Sequence, residues 1–122
     1  MRTLILDLES DGLLDSVTKV HLLVCKDADT GEYHIAKNGE VKYLLEKVQG
    51  DHIVGHNLLG FDLEVLRKLY NWYIPIDQVT DTLILSRLMF PDMRERDFSK
   101  KKIDAKLHGS HSLKAWGERF DF

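Results

Sequence analysis

A chain of 122 residues, 43% hydrophobic and 30% charged, has the make-up of one ordinary globular domain with a single modest core. Its formal net charge of −3 argues against holding nucleic acid by bulk electrostatics alone, though not against reaching phosphate through a bound cation. No apolar run approaches 18 residues, which excludes a helical membrane span, and Arg2, Asp7 and Glu9 interrupt the stretch where a signal peptide would need continuity. The lone cysteine, Cys25, lies in the apolar run HLLVC and reads as a reduced core residue. No disulfide can form within the chain, so the expected setting is reducing and cytoplasmic.

In chain order, TLILDLE near the start reads as a central strand buried on both faces. Residues 13 to 19 read as a loop. VHLLVCKD and EYHIAK, with the turn signals DADTG between them, predict a hairpin over 19–37. Val41, Leu44, Leu45 and Val48 fall at helical spacing, and Gly50 supplies a stop. DHIVGHN predicts a short strand, and a helix from about Leu59 would place Asp62, Val65, Leu66 and Leu69 on one face. IDQVTD suits a further short strand. TLILSRLMF reads as helical up to Pro91, residues 91 to 109 as polar and irregular, and SHSLKAWGERF as a last helix. Three antiparallel strands followed by β-α units predict a mixed sheet with helices on its faces, an α/β fold.

An aspartate at the head of an otherwise apolar helix face needs an explanation. A carboxylate taken out of water costs several kcal/mol unless something positive meets it. Asp7 and Glu9 share one face of the first strand, about 7 Å apart. With Asp62 they make three acids able to meet, and their mutual repulsion would be relieved by divalent cations. Hard oxygen donors without clustered histidine or thiolate suit Mg2+ or Mn2+ better than zinc. Two such ions can activate water for phosphodiester hydrolysis. Taken singly, Asp-x-Glu at a strand end is more often surface decoration, and Asp62 could be an early-helix acid favoured by the macrodipole. The joint occurrence of both features favours the site.

Asp7-Leu8-Glu9 followed by Ser10-Asp11-Gly12-Leu13, then His56-Asn57 with Phe61-Asp62, resemble the first two motifs of the DEDD 3′–5′ exonucleases, which share the RNase H-like fold with its mixed five-stranded sheet. LLDSVTKVHLL, HNLLGFDLEVL, DTLILSRL and GSHSLKAWGERF, in this order, further resemble the proofreading domain of short-tailed-phage family A DNA polymerases. The resemblance spans essentially the whole chain. It implies that Asp7 and Glu9 bind the metal that activates water, that Asp7 bridges to a second metal, and that Asp62 holds that second site. It implies too that Asn57, beside Phe61, helps fix either the substrate strand, the 3′ end of single-stranded DNA, or the geometry of the site. The family's third motif, Tyr-x-x-x-Asp on a later helix, has no counterpart here. Its absence implies a partner, either a downstream polymerase region or a separate C-terminal polypeptide, and weak or no activity of residues 1–122 alone. Two rival readings are a non-catalytic docking subunit of a split polymerase and a DEDD ribonuclease.

Other residues allow milder readings. Asp81 suits an N-cap or the wall of the acidic cleft. Leu13 and Leu14 suit either a wedge against the terminal base or core packing. Lys100, Lys101 and Lys102 belong to a basic stretch that is either a solvated loop or an arm meeting DNA phosphate. His108 and His111 lack further zinc ligands and read as surface residues. Tyr70, Trp72 and Tyr73 read as hydrophobic packing before base stacking. The last helix, with Trp116, Phe120 and Phe122 near its end, shows no obvious cap.

Overall fold

The computed structural model describes residues 1–122 and resolves into two compact units, Met1–Asp81 and Thr82–Phe122. The first unit holds a five-stranded sheet of β1 (Thr3–Ser10), β2 (Val20–Asp27), β3 (Tyr33–Lys37), β4 (His52–Gly55) and β5 (Val79–Asp81), in the spatial order β3-β2-β1-β4-β5. β1, β2 and β3 are antiparallel neighbours, whereas β4 and β5 run parallel to β1. This is the mixed sheet expected from the element order and consistent with an RNase H-like fold. Cys25 is buried in it as a free thiol, and desolvation pushes that thiol up to about 12.

One face of the sheet carries the core. Leu4, Leu6 and Leu8 of β1, Leu23 and Cys25 of β2 and Ile53 of β4 meet two helices, α1 (Val41–Val48) and α2 (Leu63–Tyr70). α1 buries Val41, Leu44, Leu45 and Val48, the four residues its 3.6-residue period selects. α2 buries Val65 and Leu66, and Trp72 and Tyr70 pack against the same core.

The expected two-sided burial of β1 does not occur. Alternation sends Ile5, Asp7 and Glu9 to the opposite face, where Ile5 remains 46% and Ile35 of β3 59% exposed. The apolar run measured what could be buried on both sides; Ile5 nonetheless stays substantially exposed. The expected strand IDQVTD also divides: residues 76–78 form a short 3-10 turn after Pro75, and only Val79–Asp81 pair with β4.

Gly55 ends β4 in close contact with its surroundings. A Cβ added there would stand 2.6 Å from Leu58 Cδ2 and 2.9 Å from the Leu6 carbonyl oxygen. The second of these is backbone and cannot rotate away. We expect Gly55→Ala to lower the unfolding free energy by about 1–3 kcal/mol, read from urea unfolding; an unchanged midpoint would show that β4 and the following turn can shift freely.

The second unit contains α3 (Thr82–Met89), α4 (Met93–Lys100) and α5 (Leu113–Arg119). The irregular segment expected over 91–109 is therefore corrected, since its first half is a helix. α4 turns Met93 and Asp97 inward, four residues apart, and Asp97 is held by the Arg119 guanidinium at 2.9 and 2.6 Å and by the Gly109 N–H. A charged inward residue hides the helical period from a search for apolar ones. Ser112 caps α5 by accepting from the Ala115 N–H. Its other end is capped as well, contrary to expectation. Asp121 adopts φ +62°, and the N–H groups of Asp121 and Phe122 return to the carbonyls of Glu118 and Gly117, closing a Schellman motif.

Candidate active site

The pleat of β1 places Asp7 and Glu9 on the open face, both exposed, and the Leu8 N–H donates to Asp7 Oδ1 at 3.0 Å. β1 pairs with β4 on one side, and the chain leaving β4 turns sharply at Asn57, whose φ of +62° is the left-handed conformation that asparagine tolerates better than most residues. Residues 58–62 close a wide π turn, with the Leu63 N–H bonding the Leu58 carbonyl, and this turn delivers Asp62 at the head of α2. Such single π turns recur at functional sites.

Asp62 is only 7% exposed. Burial pushes its carboxyl up to about 7; the negative charges of Asp7 and Asp81 add to the rise, and its own backbone N–H draws it partly back. Asp7, Glu9 and Asp62 take part in no ion pair with a basic side chain. The electrostatic coupling puts Asp62 within reach of Asp7 and Asp81. No three His, Cys, Asp or Glu side chains converge to metal-ligand spacing. The donor set, all carboxylate oxygen and short of positive charge, fits a hard dication such as Mg2+ or Mn2+.

Asp81 does more than either sequence reading foresaw. Register in the parallel β4–β5 ladder sets it opposite Gly55, and its two oxygens accept from the Asn57 N–H at 2.9 Å and the Leu59 N–H at 3.0 Å. It fixes the turn that carries Asn57 and Asp62, and its charge reaches Asp62. The signal available beforehand was an acid closing a short strand; its partners, 24 and 22 residues earlier, are set by strand register alone. Asp11 has a similar role in the loop after β1. It accepts from the backbone N–H groups of Thr18 and Lys19 and from the Thr18 hydroxyl, bonds that hold its carboxyl well below the usual range.

The remaining sequence candidates fall in several places. Leu13 is 74% exposed, so the core-packing alternative is removed for it, whereas Leu14 packs against the core. Phe61 is half-buried against that core. Lys100, Lys101 and Lys102 lie in the second unit, exposed, at and just beyond the end of α4; Lys102 pairs with Asp121 at 2.9 Å. His111 is no free surface group, because its Nδ1 meets the Ser86 hydroxyl, which also accepts from Trp116 Nε1 at 2.7 Å. His108 stacks edge-on against Phe98.

No family model matches the chain. It is similar to the DNA-directed DNA polymerase of Enterobacteria phage T3, with 35% identity over 130 aligned positions that take in 95% of this chain. It is likewise similar to the DNA-directed DNA polymerase of Escherichia phage T7, with 34% identity over 127 positions and 93% of this chain. The matched region is 18% of each polymerase, so the chain spans under a fifth of the length of these curated relatives, and over nearly all of itself it resembles one region of a phage DNA polymerase.

Proposed function

We propose that the chain provides the carboxylate site of a metal-dependent 3′–5′ exonuclease, acting on the 3′ end of single-stranded DNA within a phage-type DNA polymerase. The observation that carries this reading is a buried Asp62 with no basic partner, electrostatically coupled to Asp7 on a strand that also presents Glu9. A carboxylate so placed calls for a cation. Asp7 and Glu9 would hold one Mg2+ or Mn2+, and Asp7 with Asp62 a second. Bound there, the ions supply an activated water and neutralise charge at the leaving oxygen. The protein's own part is to fix the acids: β1 sets Asp7 and Glu9, and Asp81 locks the turn that sets Asp62. Asn57 and the exposed Leu13 would position the terminal nucleotide.

The reading is tested by release of labelled 3′ nucleotides from single-stranded DNA in Mg2+. The chain is assayed alone and with a polypeptide carrying the Tyr-x-x-x-Asp motif of the family it resembles. We expect little release alone and restoration in trans, reduced at least about a hundredfold by Asp7→Ala. A ribo-oligonucleotide arm separates a ribonuclease. No release under any combination would leave the docking-subunit reading in its place.

A further inference from the structure

The second unit differs from the rest of the chain in charge. It carries nine Lys and Arg against six Asp and Glu, a formal charge of +3 within a chain of net −3. It also holds a cavity of about 300 Å³ whose lining includes Phe90, Trp116 and Phe120 together with Arg96, Lys100 and Lys102. That volume is at the lower end of small-ligand sites. The one acid in its wall, Asp97, is already neutralised by Arg119.

The aromatic wall is built as a stack. The Arg119 guanidinium lies 4.7 Å above the Trp116 ring, and Phe120 stacks near-parallel to the same indole, with centroids 5.4 Å apart and planes 24° apart. Phe90 closes the group at 5.4 Å, tilted. Phe122 meets Phe120 edge-on at 6.2 Å, and Phe120 is still 62% exposed, leaving aromatic surface in water in the wall that also holds Arg96, Lys100 and Lys102. Lys100 takes part in no ion pair, and Lys102 meets only the exposed Asp121. Exposed aromatic rings beside lysines match a strand of bases and phosphates, because every base has a face to stack and every linkage a charge to meet.

We propose that this cavity is a stacking site for a base of single-stranded nucleic acid, with Phe120 as the platform and Lys100 and Lys102 meeting the flanking phosphates. The choice of nucleic acid over other anions rests on the polymerase-related reading above; the site itself uses none of the acids of the first unit.

The test is anisotropy of 5′-labelled 12-mers with the full chain in EDTA, comparing oligo(dT) with an abasic strand of equal charge, and including a Glu-rich peptide as competitor. We expect oligo(dT) to bind the more tightly, and Phe120→Ala to weaken oligo(dT) roughly 5- to 100-fold while leaving the abasic strand unchanged. Phe120→Trp should retain the preference. Lys100→Gln with Lys102→Gln should weaken both strands and flatten the salt slope by about 1.4. EDTA keeps metal-dependent hydrolysis out of the measurement, so a failed exonuclease assay leaves this result interpretable. Equal affinity for the two strands, or a base preference that survives Phe120→Ala, overturns the proposal. Displacement of oligo(dT) by the peptide at matched charge would give the cavity to an acidic protein segment instead.

Discussion

Replacing Asp62 by Asn raises the unfolding free energy of the first unit at pH 8 by on the order of 2–4 kcal/mol and leaves it nearly unchanged at pH 4. The sign follows from which state binds the proton. Burial lifts the Asp62 carboxyl from 3.8 to about 7 in the folded chain. Between those values the folded state therefore holds a proton that the unfolded state has released. Stability falls as pH rises across that window, and above it the folded chain carries the whole penalty of a buried charge. Asparagine has nothing to titrate. The measurement is urea unfolding followed by Trp72 fluorescence in a Trp116→Phe background, since Trp72 lies in the first unit and Trp116 in the second. In the wild type, Mg2+ or Mn2+ should raise the midpoint at pH 8, by offsetting the same charge; in Asp62→Asn most of that rise should vanish. Parallel pH profiles for the two proteins would mean that Asp62 is solvated and has no need of a cation.

Arg119→Ala should cost the second unit about 3–5 kcal/mol, the usual consequence of leaving one member of a buried ion pair alone. Asp97 is 6% exposed, and two of its three donors come from Arg119, with only the Gly109 N–H remaining after the substitution. The guanidinium bonded to Asp97 holds that carboxyl below its ordinary range. The pair's contribution is accordingly present above that range and disappears as the pH falls through the lowered value. Unfolding midpoints read from Trp116 in a Trp72→Phe background report it. Asp97→Asn combined with Arg119→Met should recover much of the loss, because neither residue then buries a charge. A loss below about 1 kcal/mol would place the pair among ordinary surface salt bridges.

Local periodicity carried much of this architecture. The four buried residues of α1 can be read from spacing alone, and period-two alternation by itself puts Asp7 and Glu9 on one face of β1. Asp62 was visible as an anomaly, an acid aligned with Val65 and Leu66. What escaped had a non-local cause. α4 orients by Asp97, whose partner Arg119 lies 22 residues on, so no apolar stripe announces the helix. Asp81 takes its role from a ladder register that the amino-acid pattern does not encode. The exposure of Ile5 is equally illegible, since hydrophobicity says which surfaces favour burial and not which become buried.

The carboxylate of Asp81 also has a consequence in time. The turn from Asn57 to Leu59 receives its fixing bonds from a residue 24 positions downstream, beyond the whole of α2. Neither bond can form until that loop has closed and β5 has paired with β4, and such long-range closure is the slow part of assembling a mixed sheet. The hairpin of β2 and β3 needs no such wait. The position of Asp62 is thereby tied to the pairing of β5, and a local opening of that short strand should release it. Amide hydrogen exchange at Asn57 and Leu59 would follow the fraying of β5 rather than the unfolding of the core, making the readiness of the site a property of its sheet edge.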